Sequence, residues 1–256
     1  MEAPVYRKRS SDSPIASCRP SENPVACRTM KLSVVMPVYN EERTVSKIVD
    51  IMLSHPLVDE LIIVDDASKD GTRSVLENYR SHQKVQLYFQ EKNQGKGAAL
   101  RTGFQYVTGD YMIVQDADLE YDPSQYSELL APLLKGEADV VYGSRFMSGD
   151  RWKESFVHTA GNRALSLISN ITTGFHLTDM ETCYKVIPTR LLRKMRLRSN
   201  RFGIEPEITA KLAALGARIR EVPVRYEPRS YEEGKKIKFM DAVQAVWVML
   251  RSRLES

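Results

Sequence analysis

Five short apolar runs, at residues 32–36, 61–64, 85–89, 111–114 and 139–142, alternate with stretches of helical periodicity. Between the first two runs, Val45, Ile48, Val49 and Met52 recur at helical spacing. An Ala-rich helix begins near Gly97, and another follows Pro123. Strands alternating with helices of about 10–15 residues build βαβ units and therefore a mainly parallel sheet. The expected fold class is α/β, Rossmann-like, with helices on both faces. Right-handed crossovers put the functional loops at the carboxyl ends of the strands. Three polar clusters fall on that edge: residues 37–42 after the first run, 65–70 after the second and 115–120 after the fourth. Their coincidence points to a site rather than to scattered surface charge.

Beyond residue 150 the pattern turns more helical, with helices expected at 157–171, 190–194 and 205–215 and a short strand at 218–223. Residues 239–254 are helical, with apolar residues at 239, 243, 246, 247, 250 and 254. Residues 1–29, rich in Ser, Pro, Arg and Cys without periodicity, read as a disordered tail, and Met30 is a second possible start. The expected organisation is a tail over 1–29, a catalytic domain over 30–238 and an amphipathic helix over 239–256.

A chain of 256 residues with 42% apolar content can bury one sizeable core. The net charge of +4 fits an anionic substrate or an acidic membrane surface, and ordinary solubility equally well. No dense basic stripe is read, so nucleic acid is not expected as a partner. Cys18, Cys27 and Cys183 are too few and too scattered for a disulfide framework or a zinc site, which points to a reducing cytoplasm. No signal-peptide core is present, and no stretch reaches the roughly 20 apolar residues that span a bilayer.

Gln115-Asp116-Ala117-Asp118-Leu119-Glu120 is the sharpest chemical feature. If the segment stays extended, Asp116, Asp118 and Glu120 share one face. Three such carboxylates suit Mg²⁺ or Mn²⁺, which take carboxylates together with substrate phosphates. The alternative is a solvated acidic turn. Asp65 and Asp66 sit where a carboxylate can accept hydrogen bonds from a nucleotide base or ribose, whereas Ser68 and Asp70 fit a turn and helix cap. Asn93-Gln94-Gly95-Lys96-Gly97 opens a helix as a phosphate cradle around Lys96, or simply as a glycine hinge.

Eight motifs occur in order. They are Met-Pro-Val-Tyr-Asn-Glu-Glu (36–42), Val-Asp-Asp-Ala-Ser-Lys-Asp-Gly-Thr (64–72), Asn-Gln-Gly-Lys-Gly-Ala-Ala (93–99) and Gln-Asp-Ala-Asp-Leu-Glu-Tyr-Asp-Pro (115–123). Gly-Ser-Arg (143–145), Leu-Thr-Asp-Met-Glu-Thr-Cys-Tyr-Lys (177–185), Phe-Gly-Ile-Glu-Pro-Glu-Ile (202–208) and Arg-Ser-Tyr-Glu-Glu-Gly-Lys-Lys-Ile (229–237) complete the set. Together they resemble the family 2 inverting glycosyltransferases of the GT-A fold, and most of all the dolichyl- and polyprenyl-phosphate mannose and glucose synthases. The resemblance covers about residues 31–253.

The resemblance implies a hexose transferred from a nucleotide-diphosphate sugar, of GDP-mannose or UDP-glucose type, to a lipid phosphate. It places Pro37, Tyr39, Glu41, Val64 and Asp66 at the nucleotide, with Lys96, Ala117 and Lys235 also at the donor. It makes Asp116, Asp118 and Glu120 the metal set, Asp118 closest, although many lipid-phosphate synthases carry Gln at the last position. Arg145, Lys185, Arg229 and Lys235 match basic residues around the donor diphosphate and acceptor phosphate. Ala67 stands where the family usually has Gly.

An alcohol acceptor needs a general base, for which Asp179, Glu205 and Glu207 are candidates. A phosphate monoester, with a second pKa of about 6, is already anionic and needs positioning alone. A hydroxyl on a polysaccharide or glycolipid is the alternative acceptor. A catalytically silent nucleotide-sugar-binding subunit is the non-enzymatic alternative, against which the intact acidic set argues. The terminal helix, with Trp247, Arg251 and Arg253, docks on a bilayer or a membrane-embedded partner, or packs on its own domain. The expected location is the cytoplasmic face of a membrane.

Overall fold

The computed structural model of the protein describes residues 5–6, 30–147, 156–229, 247–248 and 251. Its frame is a sheet of eight strands: β1 (Val5–Tyr6), β2 (Leu32–Val38), β3 (Glu60–Asp65), β4 (Val85–Phe89), β5 (Tyr111–Val114), β6 (Val140–Ser144), β7 (Lys185–Pro188) and β8 (Ile219–Pro223). The spatial order is β1-β8-β6-β7-β5-β2-β3-β4. Strands β4, β3, β2 and β5 run parallel, as does the β6–β8 pair. Strand β7 enters antiparallel between β5 and β6 and joins the two parallel blocks. β1 pairs antiparallel with β8 on the far edge, where the sequence suggested only a structureless tail.

The helices are α1 (Val45–Ser54), α2 (Thr72–Glu77), α3 (Lys96–Phe104), α4 (Tyr126–Leu134), α5 (Phe156–Thr173), α6 (Thr189–Leu192) and α7 (Ile204–Ala214). α1 buries Val45, Ile48, Val49 and Met52, the stripe that its periodicity announces. α3 lies against β2 and β3 so closely that a Cβ on Gly103 would stand 2.5 Å from Val35 Cγ1. The central strands are nearly continuous apolar runs, as expected of a parallel sheet covered by helices. Residues 230–246 and most of 239–256 lie outside the described residues, so the expectations for Lys235 and the terminal helix fall there. Residues 247–248 and 251 are helical. Among the described residues no helix is long and apolar enough to cross a membrane.

At the carboxyl end of β5 the core becomes polar through one side chain. Gln115, 0% exposed, accepts from Tyr126 Oη at 2.8 Å and Tyr184 Oη at 2.7 Å. Its amide donates to the Asp116 carbonyl at 3.1 Å, so α4 and the chain entering β7 are both tied to the start of the acidic loop. Replacing it, Gln115→Leu, leaves the buried Tyr184 hydroxyl without its acceptor and the Tyr126 hydroxyl with only the weak acceptor Met52 Sδ at 3.4 Å. The expected loss is about 1–3 kcal/mol for the orphaned group, read as a lowered midpoint in denaturant unfolding with an unchanged slope.

Candidate active site

The loops after β2 and β3 are zipped together. Asn40 N donates to Ser68 Oγ at 2.9 Å, and Lys69 N donates back to Asn40 Oδ1 at 2.8 Å. Glu41 N donates to Thr72 Oγ1 at 2.9 Å, and Asp70 Oδ1 accepts from Thr72 N at 3.1 Å, a turn bond just ahead of α2, whose N-cap is Gly71. Among the described residues, three non-glycine residues sit in the left-handed region: Asn40 (φ 53°), Ala67 (φ 59°) and Leu119 (φ 63°). Each lies in the loop at the end of a parallel strand, β2, β3 or β5. Ala67 carries a Cβ into a conformation that favours glycine, the residue the resemblance implies there.

Leu119 also corrects the extended reading of residues 115–120. The chain turns at residues 117–119, so the three carboxylates are gathered by a turn rather than by alternation. Asp116 Oδ2 faces Lys96 Nζ at 2.9 Å, and the same amine lies 3.2 Å from Glu205 Oε1. Burial opposes the charge of Lys96, but Asp116 and Glu205 outweigh it and hold the ammonium form firmly. Asp118 Oδ2 lies 3.4 Å from Arg229 Nη2, and Glu120 Oε1 accepts from Arg229 N at 3.0 Å. Arg229 also forks onto Glu41, with distances of 2.8 and 3.1 Å. The strap carrying Arg229 is fixed by a β-bridge between Tyr121 and Tyr226 and by Tyr226 Oη donating to Glu120 Oε2 at 2.6 Å. Burial, then Asp116 and Glu120, push the Asp118 carboxyl up to about 7, and Arg229 offsets only part of that rise.

Other expected site residues face inward. Val64 is 0% exposed, held in the core by the β2 and β4 pairings, and Ala117 is 3% exposed. Asp66 is 2% exposed. It accepts from Gln94 N at 2.8 Å and Gly95 N at 2.7 Å, so the amides read as a phosphate cradle hold this carboxylate instead. Burial raises its pKa, and the two amides partly offset that. Gly95 and Gly97 are glycines because a Cβ there would meet the backbone of residues 199–201 at 2.5–2.8 Å. Asp65 is likewise committed, to Arg73 Nε at 2.6 Å.

Arg145 and Asp179 form a buried fork–fork pair, with Nε–Oδ2 at 2.7 Å and Nη2–Oδ1 at 2.8 Å. Arg145 also lies 5.1 Å from the Tyr226 ring centroid. Lys185, 2% exposed, donates to the Thr182 carbonyl and lies 4.8 Å from the Tyr142 ring centroid. Burial lowers its pKa against the pull of Glu205 and Glu181. Cys183, 4% exposed, is buried and its thiol is pushed up by burial, so it is not a nucleophile. Pro37, Tyr39, Glu41, Lys96, Asp116, Asp118, Glu120 and Arg229 are the expected residues that remain partly open.

The candidate bases separate clearly. Asp179 has both oxygens on Arg145, and Glu207 accepts from Arg198 N and Ser199 N at 2.7–3.0 Å. Glu205 pairs with Lys96, and its Oε2 is buried without a partner. Glu181, two residues beyond Asp179, has no sequence signal that marks it. Glu181 Oε1 is also buried without a partner, and burial, then Glu205, push this carboxyl up to about 8.

The chain matches the family model "Glycosyl transferase family 2" over residues 33–197. It is a family 2 glycosyltransferase. A glycosyltransferase of Haloferax volcanii, AglJ, is 28% identical over 197 residues, 77% of this chain and 63% of its own length. A UDP-N-acetylglucosamine–dolichyl-phosphate N-acetylglucosaminyltransferase of Methanococcus voltae is 29% identical over 75% of this chain and 84% of its own. An undecaprenyl-phosphate mannosyltransferase of Micrococcus luteus is 29% identical over 80% and 87%. Among solved structures, glucosyl-3-phosphoglycerate synthase from Mycobacterium tuberculosis, crystallised with Mn²⁺, UDP and its product, superposes with a TM-score of 0.66. That match has 21% identity and covers 88% of this chain and 80% of the other, and it shows the shared GT-A-like fold.

The raised Glu181 pKa carries a stability consequence. The folded carboxyl binds a proton up to about pH 8, while the unfolded one releases it above 4.5. Over that window the native state holds more protons, so stability falls as pH rises. Glu181→Gln removes this dependence. Thermal melts of the variant and the parent therefore diverge as pH increases across the window, with the variant the more stable at its upper end.

Proposed function

We propose that the protein transfers a hexose, with anomeric inversion, from a nucleotide-diphosphate sugar to a polyprenyl-type lipid phosphate at the cytoplasmic face of a membrane. The observation that carries the acceptor choice is the fate of the expected bases. Asp179 and Glu207 are saturated by hydrogen bonds, and Glu205 is paired with Lys96. An acceptor that is already anionic needs none of them. Relatives named for dolichyl- and undecaprenyl-phosphate transfer support the same choice.

In this reading Pro37, Tyr39 and Glu41 border the nucleotide, and Arg229 is the cation beside the diphosphate. Asp118 and Glu120, with Asp116, offer the hard oxygen donors that Mg²⁺ or Mn²⁺ takes. Among the described residues no three acidic, His or Cys side chains form a ready-made metal cage. An ion held by one or two carboxylates and the donor's own phosphates fits that arrangement, and it would offset the charge that grows on the leaving diphosphate. A UDP and Mn²⁺ complex of a similarly folded synthase supports the same pairing of ligands.

Glu181 favours one second reading. A carboxyl raised to about 8 with an unpartnered oxygen is, once ionised, suited to take a proton from a sugar or glycolipid hydroxyl. One assay separates the two. With labelled UDP- and GDP-sugars, Mg²⁺ or Mn²⁺ and a short polyprenyl phosphate, label passes to the lipid, and Asp118→Ala lowers the rate by on the order of 100-fold or more. Glu181→Gln leaves that transfer intact. If a hydroxyl is the true acceptor, Glu181→Gln costs about 10²–10⁴-fold and the phosphate lipid stays unlabelled.

A further inference from the structure

Between residues 189 and 201 the chain carries Arg190, Arg193, Lys194, Arg196, Arg198 and Arg201, and no carboxylate. Leu191, Leu192 and Met195 are 6%, 5% and 8% exposed and anchor the segment to the core, while the six cations are exposed. Apolar side chains turn in and charges turn out, so the segment is a band held by its own hydrophobic residues. Among the described residues Arg190, Arg193, Lys194, Arg196 and Arg201 form no ion pair. Arg193 donates to the Val107 carbonyl at 3.3 Å, a bond that leaves its charge uncompensated.

The course of the band matters as much as its charge. It starts where Thr189 N donates to the Asp110 carbonyl at 3.0 Å, beside the amino end of β5. It runs along α3, where Arg101 Nη1 donates to the Arg198 carbonyl at 3.2 Å and to Asn200 Oδ1 at 2.6 Å. It ends under Gly95 and Gly97, with the Asn200 carbonyl accepting from Ala98 N at 2.9 Å. The cationic strip thus reaches the start of α3, whose Lys96 holds Asp116.

We propose that this band docks the protein on an anionic lipid bilayer. The proposal rests on the lipid-phosphate reading above, because such an acceptor presents its phosphate in the headgroup plane. Charge complementarity selects the occupant: a row of exposed cations suits an extended negative surface and requires no shaped partner. The band exposes no aromatic side chain on which a nucleic-acid base would stack.

The test is flotation of the full chain with phosphatidylcholine vesicles, and with phosphatidylcholine vesicles containing phosphatidylglycerol. The variant is Arg190→Gln/Lys194→Gln/Arg196→Gln, three exposed side chains with no hydrogen bond to lose, and an unchanged melting temperature verifies its fold. The parent floats with the anionic vesicles alone and is released by high salt. The variant binds them on the order of 100-fold more weakly, at about fivefold for each charge. Equal binding of parent and variant, or equal binding of the parent to neutral and anionic vesicles, overturns the proposal. Tighter binding of the parent to an RNA oligomer than to anionic vesicles, lost in the variant, also overturns it and assigns the band to nucleic acid. Transfer to detergent-dispersed polyprenyl phosphate is assayed separately. Vesicle binding without transfer defeats the lipid-phosphate reading and leaves the surface standing, and transfer without vesicle binding does the reverse.

Discussion

Carboxylates crowd the carboxyl edge of the parallel strands, and fixed cations stand among them and tie the loops together. Arg229 joins Glu41, Asp118 and Glu120, residues from the loops after β2 and β5. Lys96 joins Asp116 to Glu205 on α7, and Arg145 joins the end of β6 to Asp179. Each pair spans elements far apart in sequence, so neutralising the charge and fastening the loops are one event. Removing a single partner from such a buried pair strands the other charge. Burial, then the neighbouring Asp116 and Glu120, hold the Asp118 carboxyl well above the usual carboxylate range against the pull of Arg229.

The backbone at this edge is held in a costly shape. Left-handed Asn40, Ala67 and Leu119 turn three neighbouring loops within reach of one another. Asn40 tolerates that conformation through its side-chain bond to Lys69 N, whereas Ala67 and Leu119 have no polar side chain to help. Strain of this kind persists only where surrounding contacts over-determine it, and the zipper between the β2 and β3 loops supplies those contacts.

Much of this was legible in the chain alone. The alternation of apolar runs with helical stripes is a periodic signal, and periodic signals survive folding, so β2 to β6 and β8 lie where they were read. The acidic edge was legible because topology, not side-chain detail, puts loops there. What escaped notice depends on orientation. Val64, Asp66, Arg145 and Lys185 carry suggestive residue types in suggestive motifs, and only the fold reveals that they point inward. Glu181 escaped because a buried, unpartnered oxygen has no sequence signature. The basic band escaped because a net charge of +4 averages it away.

Strand β7 was the missing frame element, four residues without turn signals and following a motif that looked like a loop. Its place in the sheet has a consequence for how the chain is made. Both β5 and β6 need β7 as a neighbour, and β6 needs β8 as its other. During synthesis the four-stranded block ending in β5 therefore emerges with a naked edge. About 70 residues separate β5 from β7, so at about 5–20 residues per second that edge waits roughly 4–14 s for its partner. For that interval the growing chain depends on whatever shields an apolar strand from its neighbours on other ribosomes, and the half-sheet closes only when its late, reversed strand arrives.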